Sequence, residues 1–325
     1  MTKINLKELQ NPIKTELLGF NSFFKSELSS DKKILDYALR FILSQKGKRI
    51  RPLLVLLSAK LSGTISERSY RGASLVELLH TATLVHDDVV DEAEKRRGFP
   101  SLNKIWGNKI SVLVGDFLLS KGLMIAVANS DFDFLKTITD TVKRMSEGEL
   151  LQIYKAKKLD INESIYFQII SDKTASLFST CCEIGASSST ENTEKILALK
   201  NYGEYLGIAF QIKDDILDFV GKTQVFGKVQ GGDIKEKKLT LPLIYALDNS
   251  ANSKRKAIIK EIRKGKNCNI KEIIDFVKES NGINYAIEIA NEYSEKAKNC
   301  LNIFEDSEFK TSLIKLVNYV IEREK

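Results

Sequence analysis

The sequence predicts an all-α protein, folded as a bundle of roughly ten or more helices. Apolar residues recur at the i, i+3, i+4 spacing of a helix face along most of the 325 residues. Only 4 proline and 18 glycine residues interrupt these runs, which favours long helices. No segment has the strict apolar–polar alternation that is typical of a strand.

Caps and breakers divide the first part of the chain. Residues 1–28 predict one helix, and Ser30 and Asp31 provide an N-cap for a second. Gly47 ends that second helix. Pro52 then lies near the first turn of another helix, where a missing N–H leaves no hydrogen bond unmade.

Two loops separate the later helices. The first is marked by Gly98, Pro100 and Gly107. The second, rich in glycine and lysine, covers residues 221–240, and loops of this length in a compact domain are usually functional. In chain order, helices are expected at about residues 1–28, 31–45, 52–61, 67–94, 110–128, 132–157, 163–187, 192–220, 241–247, 253–264, 270–279, 283–304 and 308–323.

Nothing in the sequence divides the chain into separate domains, since it has no Ser/Pro-rich linker and no repeat of fixed period. The most apolar segment, residues 110–128, contains Asp116 and Lys121, and charges at the centre of a bilayer are costly. We therefore expect one domain over residues 1–325, with residues 110–128 as a buried core helix and not a membrane span.

The composition indicates a basic chain from a reducing compartment. A net charge of +7 suits phosphorylated small molecules, a membrane surface or nucleic acid. The lysines are scattered and not clustered with aromatic residues, so no nucleic-acid partner is expected. The four cysteines form no CxxC pair, and the N-terminus lacks a contiguous apolar signal segment. We therefore expect free thiols and a cytoplasmic location.

The chain is organised around an acidic motif at the end of an apolar helix. Asp87 and Asp91 lie four residues apart, so they share one helix face, and Asp88 flanks them. These carboxylates repel each other unless a cation lies between them, and Mg²⁺ prefers oxygen ligands completed by water and phosphate. A single DDxxD is common on solvated helix faces. Its interpretation as a metal site depends on a second DDxxD, again at the end of an apolar run, formed by Asp214, Asp215 and Asp218.

The two motifs and the residues between them resemble the trans-isoprenyl diphosphate synthase (polyprenyl synthetase) family over about residues 47–243. Several further motifs occur in the family's order. One difference is Glu236-Lys237-Lys238, where the family usually has Glu-Gly-Lys. The quoted matches are Gly47-Lys48-Arg49-Ile50-Arg51-Pro52, Arg96-Arg97-Gly98, Gly115-Asp116, Glu147-Gly148-Glu149 with Gln152, Lys173-Thr174, Gln211, Gly227-Lys228, Gly232-Asp233 and Lys238-Leu-Thr-Leu-Pro242-Leu.

The resemblance implies an all-α bundle around a central cavity, with the two DDxxD motifs on two of its walls. Six carboxylates beside a diphosphate would expel it by several kcal/mol even at an effective dielectric constant near 20. Two or three Mg²⁺ ions would turn this repulsion into attraction and act as a Lewis acid on the leaving group. By resemblance, the ions are held by Asp87, Asp88, Asp91, Asp214, Asp215 and Asp218. The resemblance also implies a homodimer, and transient membrane contact on product release.

The implied reaction joins isopentenyl diphosphate to an allylic diphosphate. Diphosphate leaves the allylic substrate, the double bond of isopentenyl diphosphate attacks the cation, and a proton is lost to the departed diphosphate. By resemblance, isopentenyl diphosphate is bound by Lys48, Arg51, His80 and Arg97. The leaving diphosphate is bound by Arg96, Lys173, Lys228 and Lys238, while the oxygen dipoles of Thr174 and Gln211 stabilise the cation.

The residues before Asp87 predict the product length. Thr83 and Ala82 lie four and five positions earlier, about one helix turn below the carboxylates. In the family, bulky aromatic residues here close the pocket and give short products. Because both side chains are small in this chain, we expect a long all-trans product of about six to ten isoprene units, as in quinone side chains.

Other functions are weighed against this one. A short-chain synthase of the farnesyl or geranylgeranyl type would need another helix to close the pocket. A class I terpene cyclase would need no second diphosphate site at Lys48, Arg51 and Arg97. A non-catalytic subunit of a heteromeric synthase is disfavoured because both DDxxD motifs are intact. A basic nucleic-acid-binding helical protein is the most distant alternative.

Overall fold

A computed structural model of the chain describes residues 5–45, 49–96, 98–220 and 230–323. Lys48, Arg97 and Lys228, three residues expected in the site, lie outside these ranges. The helices are α1 (Leu6–Gln10), α2 (Lys14–Glu27), α3 (Lys33–Ser44), α4 (Ile50–Ser62), α5 (Glu67–Val90), α6 (Leu102–Trp106), α7 (Asn108–Ala128), α8 (Phe132–Lys158), α9 (Glu163–Ile170), α10 (Ser176–Ser187), α11 (Thr193–Val220), α12 (Gly232–Lys235), α13 (Leu241–Asp248), α14 (Asn252–Ile262), α15 (Ile270–Glu279), α16 (Gly282–Asn299) and α17 (Glu308–Glu322).

The all-α prediction is confirmed, and most helix boundaries agree closely with those expected from the sequence. The single helix expected over residues 1–28 is instead divided into α1 and α2, because Pro12 lies in a 3₁₀ turn, Asn11–Ile13, between them. The helix expected at residues 283–304 ends at Asn299, and the short helices α6 and α12 lie in the two predicted loops. Among the described residues, the extended structure is one two-stranded antiparallel hairpin, β1 (Lys95–Arg96) with β2 (Phe99–Pro100). This hairpin lies in the predicted loop after the first DDxxD. Strands of two residues are too short to show the alternation by which sequence reasoning finds strands.

The chain divides into two compact units. The first comprises Met1–Thr139, Thr180–Lys200 and Ile303–Leu313, and the second comprises Asp140–Ser179, Asn201–Asn302 and Ile314–Lys325. The expectation of one domain over residues 1–325 stays a prediction.

In the first unit, α5 packs against both α4 and α7. α4 is fully buried along most of its length, including Leu53, Leu54 and Leu56. The contact between α5 and α7 is close because of glycine. A Cβ atom at Gly115 would lie 2.2 Å from the Nε2 atom of His86, so α7 accommodates that imidazole only where it lacks a side chain.

α7 differs from the expected buried core helix. By length and composition it is the one helix of the described ranges that could cross a bilayer, a test that core helices also pass. Its inner face is buried at Val114, Leu118 and Ile125. Its outer face is exposed and apolar: Leu113 is 67% exposed and Met124 is 60% exposed.

In the second unit, a continuous apolar core joins the last turns of α11 to α13, α15 and α16. Ile212, Ile216 and Phe219 are its contribution from α11, and each is at most 2% exposed. Because this side of α11 packs into the core, the helix turns that contain the second DDxxD are held in place.

The predicted helix at residues 163–187 is also interrupted. Ser171–Ala175 form a π-helical turn between α9 and α10. Such turns carry one extra residue and occur frequently at functional sites. This one contains Lys173 and Thr174.

Candidate active site

The first DDxxD lies at the C-terminal end of α5. The helix ends at Val90, and Asp91 is its C-cap, with its N–H donating to the carbonyl of Asp87 at 2.8 Å. Because the C-terminus is the negative end of the helix dipole, carboxylates here are destabilised until a cation arrives. Asp87 and Asp91 are both exposed. The predicted pair therefore lies on the surface of its unit, where a cation can reach it.

Asp88 points the other way. It is only 3% exposed, and its Oδ1 atom accepts from Nε of Arg96 at 2.7 Å and pairs with Nη2 at 2.6 Å. Burial raises the pKa of this carboxyl, Arg96 lowers it, and Asp91 raises it. The second aspartate of the motif thus anchors Arg96, and the hairpin of β1 and β2 places that arginine beside the helix end.

The expected isopentenyl diphosphate residues that are described lie in the same unit. Arg51 is half-buried in the first turn of α4, after Arg49, which adopts a left-handed conformation with φ 47°. His80 is 9% exposed on α5. The hydroxyl of Thr83 donates to the carbonyl of His80 at 2.8 Å, while Ala82 is 2% exposed.

In the second DDxxD, Asp215 is the buried member. Its carboxylate accepts from the hydroxyl of Tyr166 at 2.6 Å and from Nε2 of Gln211 at 2.8 Å. Burial and the nearby Asp233 raise the pKa of Asp215, the two hydrogen bonds lower it, and the net result is a pKa of about 8. Asp215 is therefore held inside its unit, as Asp88 is in the first.

Asp218 caps a short helix. Its Oδ1 and Oδ2 atoms accept from the backbone N–H groups of Gly232 at 3.1 Å and Asp233 at 3.2 Å. These are the first residues of α12, and a carboxylate at a helix N-terminus is favourable. The third aspartate thus ties the chain after the long loop to the end of α11.

Asp214 pairs with an arginine that sequence reasoning missed. Nη2 of Arg323 lies 2.8 Å from Oδ1 of Asp214 and donates to the carbonyl of Phe210 at 2.9 Å. The guanidinium carbon lies 3.9 Å from the centre of the Phe210 ring. The arginine side chain is only 9% exposed, so it is fixed from three directions.

Because this arginine is largely buried, replacing it should destabilise the protein. For Arg323→Met we expect the free energy of unfolding to fall by about 2 kcal/mol, the range for a lost hydrogen bond to a charged group. The matched control is Arg255→Met, which breaks the exposed ion pair with Asp248 and should cost less than about 1 kcal/mol. Urea unfolding of both variants measures this, and equal midpoints would contradict it.

Lys173, Thr174 and Gln211, which were expected around the leaving group and the allylic cation, all lie in the second unit. Nζ of Lys173 donates to Oε1 of Gln152 at 2.7 Å and also pairs with Glu149. The hydroxyl of Thr174 donates to Oε1 of Gln211 at 3.0 Å. Gln211 therefore links Thr174 to Asp215, and its position four residues before Asp215 is the sequence signal for this contact.

Lys238 is paired within its own loop. Its Nζ atom lies 2.6 Å from Oε2 of Glu236. Burial lowers the pKa of Lys238, but Glu236, Asp233 and Glu149 raise it, and the net shift is upward. Lys238 therefore stays charged, as a phosphate ligand must.

Over the described ranges, no three or more His, Cys, Asp or Glu side chains cluster closely enough to hold a metal ion by themselves. The donor set nevertheless fits magnesium. Mg²⁺ is usually bound by one or two carboxylates, with waters and substrate phosphates completing the octahedron. Asp87, Asp91 and the half-buried Asp214 have the matching chemistry.

Comparisons with known proteins identify the family of the chain. Residues 32–279 match the family model described as polyprenyl synthetase. The chain is 35% identical over 324 residues to the octaprenyl diphosphate synthase of Haemophilus influenzae, covering 98% of each chain.

Solved structures of the same kind match along the whole chain. A decaprenyl diphosphate synthase from Rhodobacter capsulatus gives a TM-score of 0.92 at 32% identity, covering 99% of this chain and 100% of that one. A polyprenyl synthase from Caulobacter crescentus, complexed with calcium and isoprenyl diphosphate, gives 0.91 at 31% identity with 100% coverage of both.

These similarities confirm the predicted resemblance and the predicted enzyme class, a prenyltransferase. They also confirm the prediction of a long-chain all-trans polyprenyl diphosphate synthase, since full-length relatives carry octaprenyl and decaprenyl names. The family match covers well over half of the chain. The chain belongs to the polyprenyl synthetase family.

Proposed function

We propose that this enzyme adds isopentenyl diphosphate repeatedly to an allylic diphosphate and releases an all-trans product of about six to ten isoprene units. The observation that carries this proposal is the presence of two DDxxD motifs, each with an accessible first aspartate, and of a small residue, Ala82, about one turn before the first motif. Products of this length suit quinone side chains.

For the metal, we assign direct ligation to Asp87, Asp91 and Asp214. When bound, two or three magnesium ions would neutralise the diphosphate and act as a Lewis acid on the leaving group. Asp88 and Asp215 instead orient Arg96 and Gln211 through hydrogen bonds. These contacts support different roles for the aspartates of one motif. The second aspartate of each motif orients a neighbouring side chain, Arg96 or Gln211, that faces the substrate.

For the allylic diphosphate, the chain's own residues supply both charge and orientation. Arg96, Lys173, Lys228 and Lys238 bind the departing diphosphate, whose charge grows as the C–O bond breaks. Thr174 and Gln211 direct oxygen dipoles at the allylic cation. Lys48, Arg51, His80 and Arg97 hold isopentenyl diphosphate so that its double bond attacks that cation, and the released diphosphate takes the proton.

The test is incubation of the purified chain with labelled isopentenyl diphosphate, farnesyl diphosphate and Mg²⁺, followed by chromatographic sizing of the products. The expected result is a metal-dependent ladder ending at about six to ten units. Products of three or four units would identify a short-chain synthase. Cyclic hydrocarbon formed without isopentenyl diphosphate would identify a terpene cyclase, and inactivity of the chain alone would identify a subunit of a heteromeric enzyme.

We further propose that the enzyme is a homodimer joined through the outer face of α7. Leu113, Met124 and Val127 are 67%, 60% and 49% exposed and recur at helical spacing, so they form one apolar stripe. A stripe of this kind on a monomer is typical of an interaction site. A second copy of α7 is the self-complementary partner that twofold symmetry provides.

Replacing both Leu113 and Met124 with glutamate should therefore convert the dimer to a monomer, because burial of two charges in an apolar interface is strongly unfavourable. Light scattering at micromolar concentration measures the mass. The control is Leu197→Glu, which places the same charge at another exposed leucine of the first unit. A double variant that keeps the wild-type mass would contradict the proposed interface.

We place the enzyme in the cytoplasm, in transient contact with an anionic membrane that receives the product. Lys256 and Lys260 of α14 and Arg263 directly after it are exposed, and their spacing places them on one side of the helix. Each such cation near an anionic surface contributes about 1 kcal/mol. We expect salt-sensitive co-sedimentation of the protein with phosphatidylglycerol vesicles. If the protein were retained on DNA instead, the prediction of no nucleic-acid partner would be wrong.

A further inference from the structure

The π-helical turn Ser171–Ala175 places two residues of the candidate site. Lys173 and Thr174 lie inside the turn, and their side chains contact Gln152 and Gln211. A π-helical turn contains one residue more than the α-helix around it. If it relaxed to α-helical geometry, the residues on one side would rotate by about 100°, and these contacts would be lost.

A four-residue polar cluster lies at the start of this turn. It consists of Arg144 from α8, Ser171 and Asp172 from the turn, and Glu204 from α11, and we name it the Arg144 cluster. Nε of Arg144 donates to Oδ1 of Asp172 at 2.8 Å. Its Nη2 donates to the hydroxyl of Ser171 at 2.9 Å and to Oε1 of Glu204 at 3.2 Å. Ser171 also donates to Glu204 at 2.5 Å.

One guanidinium therefore joins three separate segments of the second unit. Two carboxylates share it, so without the arginine Asp172 and Glu204 would be left as like charges around Ser171. Burial lowers the pKa of Arg144, but Asp172 and Glu204 raise it, and the net shift is upward. The cluster thus holds together only while the arginine supplies the positive charge.

The turn is also enclosed by two glycines. A Cβ atom at Gly148 of α8 would lie 3.0 Å from both the Cβ of Asp172 and the backbone nitrogen of Lys173. A Cβ atom at Gly207 of α11 would lie 2.5 Å from the Cα of Ala175. Both neighbouring helices therefore contact the turn through its backbone, and the Arg144 cluster fixes its remaining polar end.

We propose that Arg144 is a positioning residue, which holds the π-helical turn so that Lys173 and Thr174 point at the reacting diphosphate and cation. Arg144 does not itself touch the substrate. It acts through the turn, so its effect falls on the chemical step and not on the binding of isopentenyl diphosphate. The inference rests on the proposed function, because only that function gives Lys173 and Thr174 their roles.

The test compares Arg144→Met with wild-type enzyme. Methionine keeps an apolar stem but removes the charge and all donors. We expect kcat to fall roughly 100-fold, the effect of a displacement of about 1 Å at a reacting centre. KM for isopentenyl diphosphate should change less than about twofold. The control is Arg255→Met, which removes an exposed ion pair with Asp248 in the same unit and should leave kcat unchanged.

A double-mutant cycle separates positioning from general stability. If Arg144 acts through the turn, Arg144→Met should cost less than about threefold in kcat when Lys173→Met and Thr174→Val are both already present. Two results would overturn the inference: an effect of Arg144→Met that multiplies fully with that of the Lys173→Met/Thr174→Val pair, or a kcat for a folded Arg144→Met variant equal to that of wild type. Failure of the proposed function is distinguishable, because the wild-type chain itself would then transfer no prenyl group.

Discussion

Replacing Asp87 with alanine is expected to lower kcat roughly a thousandfold while leaving the fold intact. Lewis-acid stabilisation of a leaving group is worth several kcal/mol, and about 4 kcal/mol corresponds to this factor. Asp87 is exposed at the end of α5, so an alanine there leaves no cavity in the core. The measurement is the initial rate of isopentenyl diphosphate incorporation at saturating Mg²⁺.

The matched control for this variant is Asp133→Asn. Asp133 is an exposed aspartate of the same unit, 2.6 Å from Nη2 of Arg68 and outside every motif that matches the family. It should retain most of the activity. If Asp87→Ala kept more than about a tenth of the wild-type rate, the first motif would not be the metal site.

Replacing Ala82 with phenylalanine is expected to shorten the product to about three or four isoprene units. Ala82 lies five residues before Asp87, and one helix turn is about 5.4 Å, close to one extended isoprene unit. An aromatic ring there would stop the growing chain soon after the first condensations. The first addition to farnesyl diphosphate should slow much less than the later ones. Chromatography of the products after complete reaction measures this.

A second variant shows whether position matters or only bulk. Thr81→Phe adds the same ring one residue earlier, about 100° around the helix. It should leave the product length unchanged. Because Ala82 is 2% exposed, the larger side chain will cost some stability, and a thermal unfolding scan confirms that the variant is folded. An unchanged ladder in folded Ala82→Phe would show that another helix sets the length.

Much of the fold was predictable because its helices follow the local rules. α7 and α11 were expected at about residues 110–128 and 192–220 and were found at Asn108–Ala128 and Thr193–Val220. Long apolar periodicity with few glycines determines such elements without help from tertiary contacts. The DDxxD motifs were found for a related reason, since four-residue spacing at a helix end is visible in the sequence itself.

The parts that could not be predicted depend on tertiary contacts. The pairing of Arg323 with Asp214 joins residues more than a hundred positions apart, and a single arginine after a C-terminal helix carries no signal of its partner. The π-helical turn also gives no signal in the sequence, because its extra residue leaves the apolar pattern of residues 163–187 almost intact.

The exposed face of α7 was missed for a different reason. Its apolar residues occur all round the helix, and composition alone does not distinguish a face buried in the core from a face open for a partner.

The different environments of the aspartates were also not visible in the sequence, because Asp88 and Asp215 have the same residue type as the proposed ligands. Only their burial and their hydrogen bonds with Arg96 and Tyr166 separate them.

The proposed function requires that both DDxxD motifs contribute to binding one allylic diphosphate through magnesium. The most direct measurement is calorimetric binding of a farnesyl diphosphate analogue with sulfur in place of the bridging oxygen, which ionises slowly. Binding should require Mg²⁺, and Asp87→Ala and Asp214→Ala should each weaken it at least about a hundredfold. Wild-type affinity in either variant, or equal affinity with and without Mg²⁺, would contradict the claim.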